Sequence, residues 1–371
     1  MATIRAAGRL LAGVVLAAAV CACTPTQAAA QGPDETKILL LQSKPRAASI
    51  VQTAGRSDNP RERLAALEAV QHAPELAFDM ARDGLSDENP AVRFGALVTV
   101  GKLKLRALSD AAMDLMKDDN ESVRAAALFA ASRCGKDVNL SPLAGMLATG
   151  SSSARANAAM LIGQLGDPQA IEMLRDMADR PMTRVSAAER TWVRLQYAEA
   201  MIRLDPEDDE TLGSIRASVY SNLDDVRVLA IQILGEVGDR SVQGGLAHII
   251  KRDNPIQIKI AAAQSLVQMG DRQAANVLIS SSKYNESQLR SDLRAYLSKG
   301  DISGPEAIVI RDILADDKAR ASAAAEVRAQ AARGLTYVGS TASAQRLAAL
   351  LEDPATIVRV AAASAILRAS R

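Results

Sequence analysis

Residues 89–103 read NPAVRFGALVTVGKL: a turn signal, one basic residue, then a run of small and branched apolar side chains. Nearly the same phrase returns as NESVRAAALFAASRCG at 120–135, LDDVRVLAIQILGEVG at 223–238 and PATIVRVAAASAILR at 354–368. Aligned on the basic residue, the phrase is anchored at Arg63, Arg93, Arg124, Arg155, Arg194, Arg227, Lys259, Arg328 and Arg359, with spacings of 30, 31, 31, 39, 33, 32, 69 and 31 residues. The gap of 69 is long enough for one more unit, and SQLRSDLRAYLSKGD offers Arg290 as its anchor. A fixed period of this kind marks a repeat architecture, in which each unit is one supersecondary motif.

Other columns travel with the anchor. Three residues on stands Ala66, Ala96, Ala127, Ala158, Ala230, Ala262, Ala331 or Ala362, and Tyr197 is the exception. Eleven residues on stand Gly135, Gly166, Gly238, Gly270 and Gly339, where a helix can end in the left-handed conformation that glycine tolerates best. Asp167, Asp239 and Asp271 follow a glycine directly and can cap the next helix through their carboxylates. Short polar residues five or six places before the anchor, among them Asp58, Asp87, Asp119, Asn222, Asp253 and Asp353, open the helix that carries it. Val226, Leu229, Ala230, Ile233 and Leu234 form one apolar stripe at helical spacing. Each unit is thus two short antiparallel helices, and a single pair cannot bury both of its faces, so neighbours stack into a solenoid.

The D-x-x-x-x-V-R-x-x-A phrase with a period near 31 resembles HEAT repeats of the short kind over about seven eighths of the chain. The resemblance implies an all-α fold, a right-handed α-solenoid of about ten helix pairs over residues 44–371. It also implies ladders between the acid of the turn and the basic residue of the second helix, carried here onto Asp58 with Arg63, Asp119 with Arg124, and Asp253 with Lys259. Gly150 and Ala323 take the place of the acid before Arg155 and Arg328, so interruptions are expected there.

Composition agrees with this class. Of the 371 residues 48% are hydrophobic but only 2% aromatic, so the core is built from small side chains that let helices approach closely. The 44 basic and 43 acidic residues leave no electrostatic footprint for nucleic acid or an anionic membrane surface.

The N-terminus is of another kind. Arg5 and Arg9 precede an apolar run from Leu10 to Val20, and no acid occurs before Asp34, the layout of a secretory signal peptide. VCAC at 20–23 resembles the bacterial lipobox, which implies a signal peptide over residues 1–22, lipidation of Cys23 and a linker over 23–43. Thr24 in the place of an aspartate implies the outer membrane facing the periplasm. The competing site is the small-residue triplet at 28–30, whose cleavage releases a soluble chain beginning at Gln31. Only Cys134 remains in the repeats, which excludes a disulfide framework.

Catalytic motifs are sparse. His72 and His248 are far apart and followed by Ala and Ile, so the His-Glu pairs of HEAT-repeat iron hydroxylases are missing. SSSK at 280–283 and SDN at 57–59 match serine-lysine elements in the wrong order and without a KTG companion. The acidic run DPEDDE at 205–210 lacks the glycine and terminal glutamate of an EF-hand loop. The expectation is therefore a non-enzymatic scaffold with no cofactor or metal, binding a protein partner at the cell envelope and meeting the membrane only through its anchor. The alternatives are an enzyme of the lyase type, since short HEAT repeats also occur in phycobilin lyases, and a self-assembling structural element docking through the last helix. The unit that departs furthest from the pattern holds the only Trp of the chain, and it nominates Trp192, Tyr197 and Tyr220 for partner contact, because aromatic residues concentrate at interface hot spots.

Overall fold

A computed structural model describes residues 35–183, 185–298 and 305–371, and every regular element among them is helical. The described residues divide into two compact units, one within 51–237 and one joining 35–50 with those of 238–371. The signal peptide, Cys23 and the alternative cleavage site lie outside the described residues.

Within residues 51–237 the second helices of the repeats stand side by side in the order Pro60–Ala69, Pro90–Leu103, Glu121–Arg133, Ser152–Leu165, Ala187–Leu204 and Asp224–Val237, and each after the first also packs on the first helix of its own repeat. Local chemistry sets their ends. Asn59, Asn89 and Asn120 are the N-caps, accepting from the backbone N–H groups of Arg61, Ala91 and Ser122, and Pro60 and Pro90 occupy the first helical position, where no N–H is needed. At the other end the five glycines of the repeat column all have positive φ, between 61° and 98°. In the repeat of Arg93 the same place falls to Lys104, the one non-glycine residue with positive φ among those described, at 52°. Asp167, Asp239 and Asp271 accept from the backbone N–H two residues on, as their position after glycine suggests.

All eight alanines of the column three residues past the anchor are fully buried. Without a larger side chain, successive second helices come into backbone-level contact: a Cβ on Gly163 would lie 3.1 Å from the Cα of Ala200 on the next second helix.

The other unit has a row of its own, in which Asp317–Leu335 packs on Ile256–Gln268 and Thr356–Ala369 packs on Asp317–Leu335. The helix Glu286–Ser298, which carries Arg290, does not join it. Asp317–Leu335 packs directly on Ile256–Gln268, while Glu286–Ser298 and Pro305–Ala315 stand against Asp317–Leu335 as an excursion. Arg290 is exposed, so the unit anticipated there is not a rung of the stack: Leu289 is buried, but no alanine column follows it to let the helix close on a neighbour.

The helix Glu35–Ala54 runs through the boundary expected at residue 44, so residues 35–43 are helical and not linker. Inside the second unit its Thr36 Oγ1 lies 3.1 Å from Thr341 Oγ1, and Arg46 Nε lies 3.3 Å from a Glu352 carboxylate oxygen. Ile366 and Leu367 of the last helix are fully buried.

Candidate functional site

The anchor residues form a ladder whose rungs differ from those the motif suggests. Arg63 donates through Nε and Nη2 to both carboxylate oxygens of Asp87, at 2.7 and 2.8 Å, and Arg93 does the same to Asp118, at 2.8 and 3.0 Å. Within its own repeat each arginine uses Nη1 on backbone carbonyls: Arg63 reaches Ser57 and Asp58, and Arg124 reaches Asp118 and Asp119. The pairing of Asp58 with Arg63 and of Asp119 with Arg124 is therefore through backbone oxygens, and the ionic partner of Arg63, Asp87, belongs to the following repeat. The geometric reason is that the acid six residues before the anchor closes an Asx turn, as Asp87 does on the N–H of Asn89, and this aims its carboxylate back along the row. Asp253 stands at this six-before position, whereas Lys259 has no forked guanidinium to repeat the bidentate arrangement.

Burial alone would raise the carboxyl of Asp87, but the hydrogen bonds from Arg63 and the Asn89 N–H, with the charges of Arg63 and Arg93, hold it below its usual range. Asp118 is held low in the same way by Arg93, the Asn120 N–H and Arg124.

The two expected interruptions turn out differently. Arg328 makes the bidentate pair with Asp353 of the next repeat, at 2.8 and 2.9 Å, so Ala323 does not deprive Arg328 of its ion pair. Arg155 has no acid; it is buried and donates to the carbonyl oxygens of Gly150 and Leu147, each at 2.8 Å.

The aberrant repeat explains itself around that site. Its second helix, Ala187–Leu204, starts seven residues before Arg194, where a normal repeat starts three before, so the insertion has added one helical turn. A capping box between Ser186 and Glu189 secures the new start, and Arg190 takes over the carbonyl contact, donating to Val185 at 2.6 Å. Tyr197, in the alanine column, is fully buried, and its hydroxyl donates to the Leu147 carbonyl at 2.8 Å beside Arg155. Burial raises its pKa, with Arg155 opposing. Tyr197 is therefore a seam residue and is withdrawn as a partner contact: a phenol this deep offers no atom to a second protein. Trp192 is half-buried just after the added turn, and Tyr220 is 75% exposed beyond the helix Asp209–Ser218. In the acidic run, Asp208 is spent as the N-cap of that helix, accepting from the N–H and hydroxyl of Thr211 and from Arg175. Cys134 is buried, and burial pushes its thiol up, as befits a core residue.

A second column went unread in the sequence. Nine residues past the anchor, in the last turn of the second helix or, for Tyr337, just beyond it, the side chain is polar: Lys102, Arg133, Gln164, Arg203 and Glu236 in the first unit, then Gln268, Tyr337 and Arg368 in the second. All are half-buried. Arg203 approaches Glu236 at 3.9 Å and Glu199 at 3.0 Å, and Arg368 lies 4.7 Å over the ring of Tyr337 while donating to its hydroxyl at 2.8 Å. These two pairs of neighbouring rungs touch, one pair in each unit. No single column of period 31 advertises this, because the residue types differ from rung to rung and share only polarity.

Comparison with known proteins gives one family. The model described as HEAT repeats matches residues 47–132, 109–193 and 215–298, more than half of the chain. No curated protein matches. Among solved structures, the chain is similar to the CpcE–CpcF complex of phycocyanin lyase from Nostoc sp. PCC7120, with 19% identity over 69% of this chain and 97% of that one and a TM-score of 0.38. Human deoxyhypusine hydroxylase in complex with glycerol is 15% identical over 91% and 99% of the two chains, with a TM-score of 0.34. The E. coli protein YibA is 18% identical over 82% and 99%, with a TM-score of 0.29.

Proposed function

The chain belongs to the HEAT-repeat family, and from that premise we propose that it is an exported scaffold, lipid-anchored through Cys23 on the periplasmic side of the outer membrane, which binds another protein at the cell envelope. The observation that carries the binding part is that each compact unit has its own row of second helices, with half-buried polar side chains recurring nine residues past the anchor. Repeat proteins use such extended surfaces to hold partners. The export part rests on the signal-peptide layout of the first residues and the lipobox-like VCAC. Several acyl chains would be needed for stable anchoring, since one binds membranes marginally.

Trp192 and Tyr220 remain the aromatic candidates for contact, because both reach the surface. The test is capture from detergent-solubilised envelope, with co-elution at fixed stoichiometry and identification by mass spectrometry. Tyr220→Ala is expected to weaken capture at least tenfold without moving the melting temperature. Retention of a small molecule with no protein at stoichiometric ratio would overturn the scaffold reading. For the anchor, Cys23→Ser is expected to move the protein from the detergent to the aqueous phase, and a mature chain beginning at Gln31 would leave export alone standing.

A further inference from the structure

The helix Glu35–Ala54 is packed on one side and bare on another. Leu40, Ala47 and Ile50 are buried, and Thr36 and Arg46 tie the helix to Thr341 and Glu352 within the same compact unit. On the far side lie Ile38, Leu41, Pro45 and Ala48, spaced three, four and three residues apart, which puts them on one outward stripe. Ile38 is 43% and Leu41 46% exposed, Pro45 is exposed and Ala48 is half-buried. The other exposed large apolar side chains among the described residues, Phe78, Met113, Tyr220 and Ile308, stand singly on or beside different elements. A single exposed apolar residue needs no explanation, whereas neighbours on one stripe mark a contact surface.

The occupant follows from where the stripe sits and what flanks it. Glu35 stands twelve residues after Cys23. A chain lipidated there cannot carry the start of the helix further than about 40 Å from the bilayer, at about 3.3 to 3.6 Å for each residue. Exposed Lys37 and half-buried Lys44 border the stripe on one side, and Glu35, in the first turn, is the only acid of the helix. The near-neutral charge of the whole chain hides this local basic excess. A basic flank beside an apolar stripe suits the headgroup level of an anionic membrane. Pro45 has no N–H to give to the carbonyl of Leu41, as a regular helix requires, so the stripe carries a backbone acceptor that hydrated headgroups meet and a dry apolar seam does not. No helix among the described residues is long and apolar enough to cross a membrane, and this contact asks only that one face lie in the headgroup layer.

We infer that the outward face of the helix Glu35–Ala54 is a membrane-contact surface: Ile38 and Leu41 enter the headgroup layer of the bilayer that holds the Cys23 anchor, and Lys37 and Lys44 meet its anionic phosphates. The inference rests on the lipid-anchored reading and adds a second contact to the one the acyl chains make. Leu40, Ala47 and Ile50 bind the helix into its unit, so the contact fixes which way that unit faces the membrane instead of leaving it to swing on a tether.

The test uses the full mature lipidated chain in mixed phosphatidylethanolamine–phosphatidylglycerol vesicles, with an environment-sensitive fluorophore on Leu41→Cys. Cys134 is buried and Cys23 is acylated, so the introduced thiol takes the label. Spin-labelled lipid should quench this label strongly and aqueous iodide weakly. Adding Ile38→Glu and Lys37→Glu to the labelled chain should lower the lipid quenching at least fivefold while the melting temperature stays where it was, because both side chains point outward. A label quenched by iodide and not by lipid would leave the anchor standing and overturn the surface. Lipid quenching unchanged by the two glutamates, or a melting temperature lowered by them, would overturn it as well. A label shielded from both quenchers means that a second copy of the chain covers the stripe, and the proposal falls. If the native protein proves to carry no lipid, the same label is read on the Cys23→Ser chain added to the vesicles: lipid quenching there keeps the surface and drops the anchor, and its absence drops both.

Discussion

Asp87 and Asp58 stand one place apart in the repeat register, yet the chain uses them for different work. The carboxylate of Asp87 receives both prongs of Arg63 from the preceding repeat, while Asp58 contributes only its backbone oxygen. With Arg63 and Asp87 both mostly buried, at 13% and 11% side-chain exposure, loss of the acid leaves a guanidinium short of partners. Asp87→Asn is therefore expected to cost about 2 kcal/mol, and Asp58→Asn to stay within about 0.5 kcal/mol of the parent. Urea melts of the two variants check this, and equal losses would return the ladder to the pairing suggested by the motif. A backbone residue can be tested in the same way. Gly238 has φ of 78°, a conformation L side chains rarely adopt. Gly238→Ala is expected to destabilise by about 1 kcal/mol, read as a lower urea midpoint with unchanged slope.

At the scale of the helix, packing is decided by the smallest residue of the repeat. Ala230 is fully buried on the Asp224–Val237 helix, at the place where all eight repeat alanines sit. Ala230→Leu should overpack that seam and cost roughly 1 to 3 kcal/mol; a thermal melt indistinguishable from the parent would sink the close-contact account. Tyr197 is the exception that tests the rule. The phenol fills the volume that alanine leaves elsewhere, so Tyr197→Ala should open a cavity and cost about 3 to 5 kcal/mol, as large aromatic truncations do. The helix pairs, the alanine seam and the glycine ends were legible in the sequence because each repeats as one residue type at one interval. What was not legible has physical reasons. The ionic rung joins residues 24 or 25 apart, Arg63 with Asp87 and Arg93 with Asp118, and a motif read within one repeat pairs each arginine with its own acid. Arg290 imitates an anchor in spacing, but the helix around it has one buried residue and is left out of the row. Tyr197 is polar and aromatic, and only the position of the Leu147 carbonyl decides that its hydroxyl points inward.

Across the whole chain the charges nearly cancel, with 44 basic and 43 acidic residues, so long-range self-repulsion contributes little near neutral pH. Acid stability is then governed by the carboxylates that the fold holds low. Asp87 and Asp118 are such groups: burial opposes their ionisation, but Arg63 and Arg93 outweigh it. A carboxyl with a depressed value in the folded state contributes stability that is fully present above its unfolded value of about 3.9, and that is lost as pH falls through the lower folded value. The Asp87→Asn, Asp118→Asn double variant isolates this contribution. Above pH 5 it should be less stable than the parent by roughly 2 to 5 kcal/mol, allowing for coupling between adjacent rungs that share Arg93. As pH drops through the depressed folded values, the parent's two aspartates become neutral like the asparagines, and the other acids titrate alike in both proteins. The gap in melting temperature should accordingly begin to narrow as pH falls below about 3.9 and close only below those depressed values, even as both proteins lose stability from their unbalanced positive charge. A gap that keeps its full size across that range would mean the rungs act through shape and neutral hydrogen bonds, and that the ion pairs between repeats contribute nothing as ion pairs.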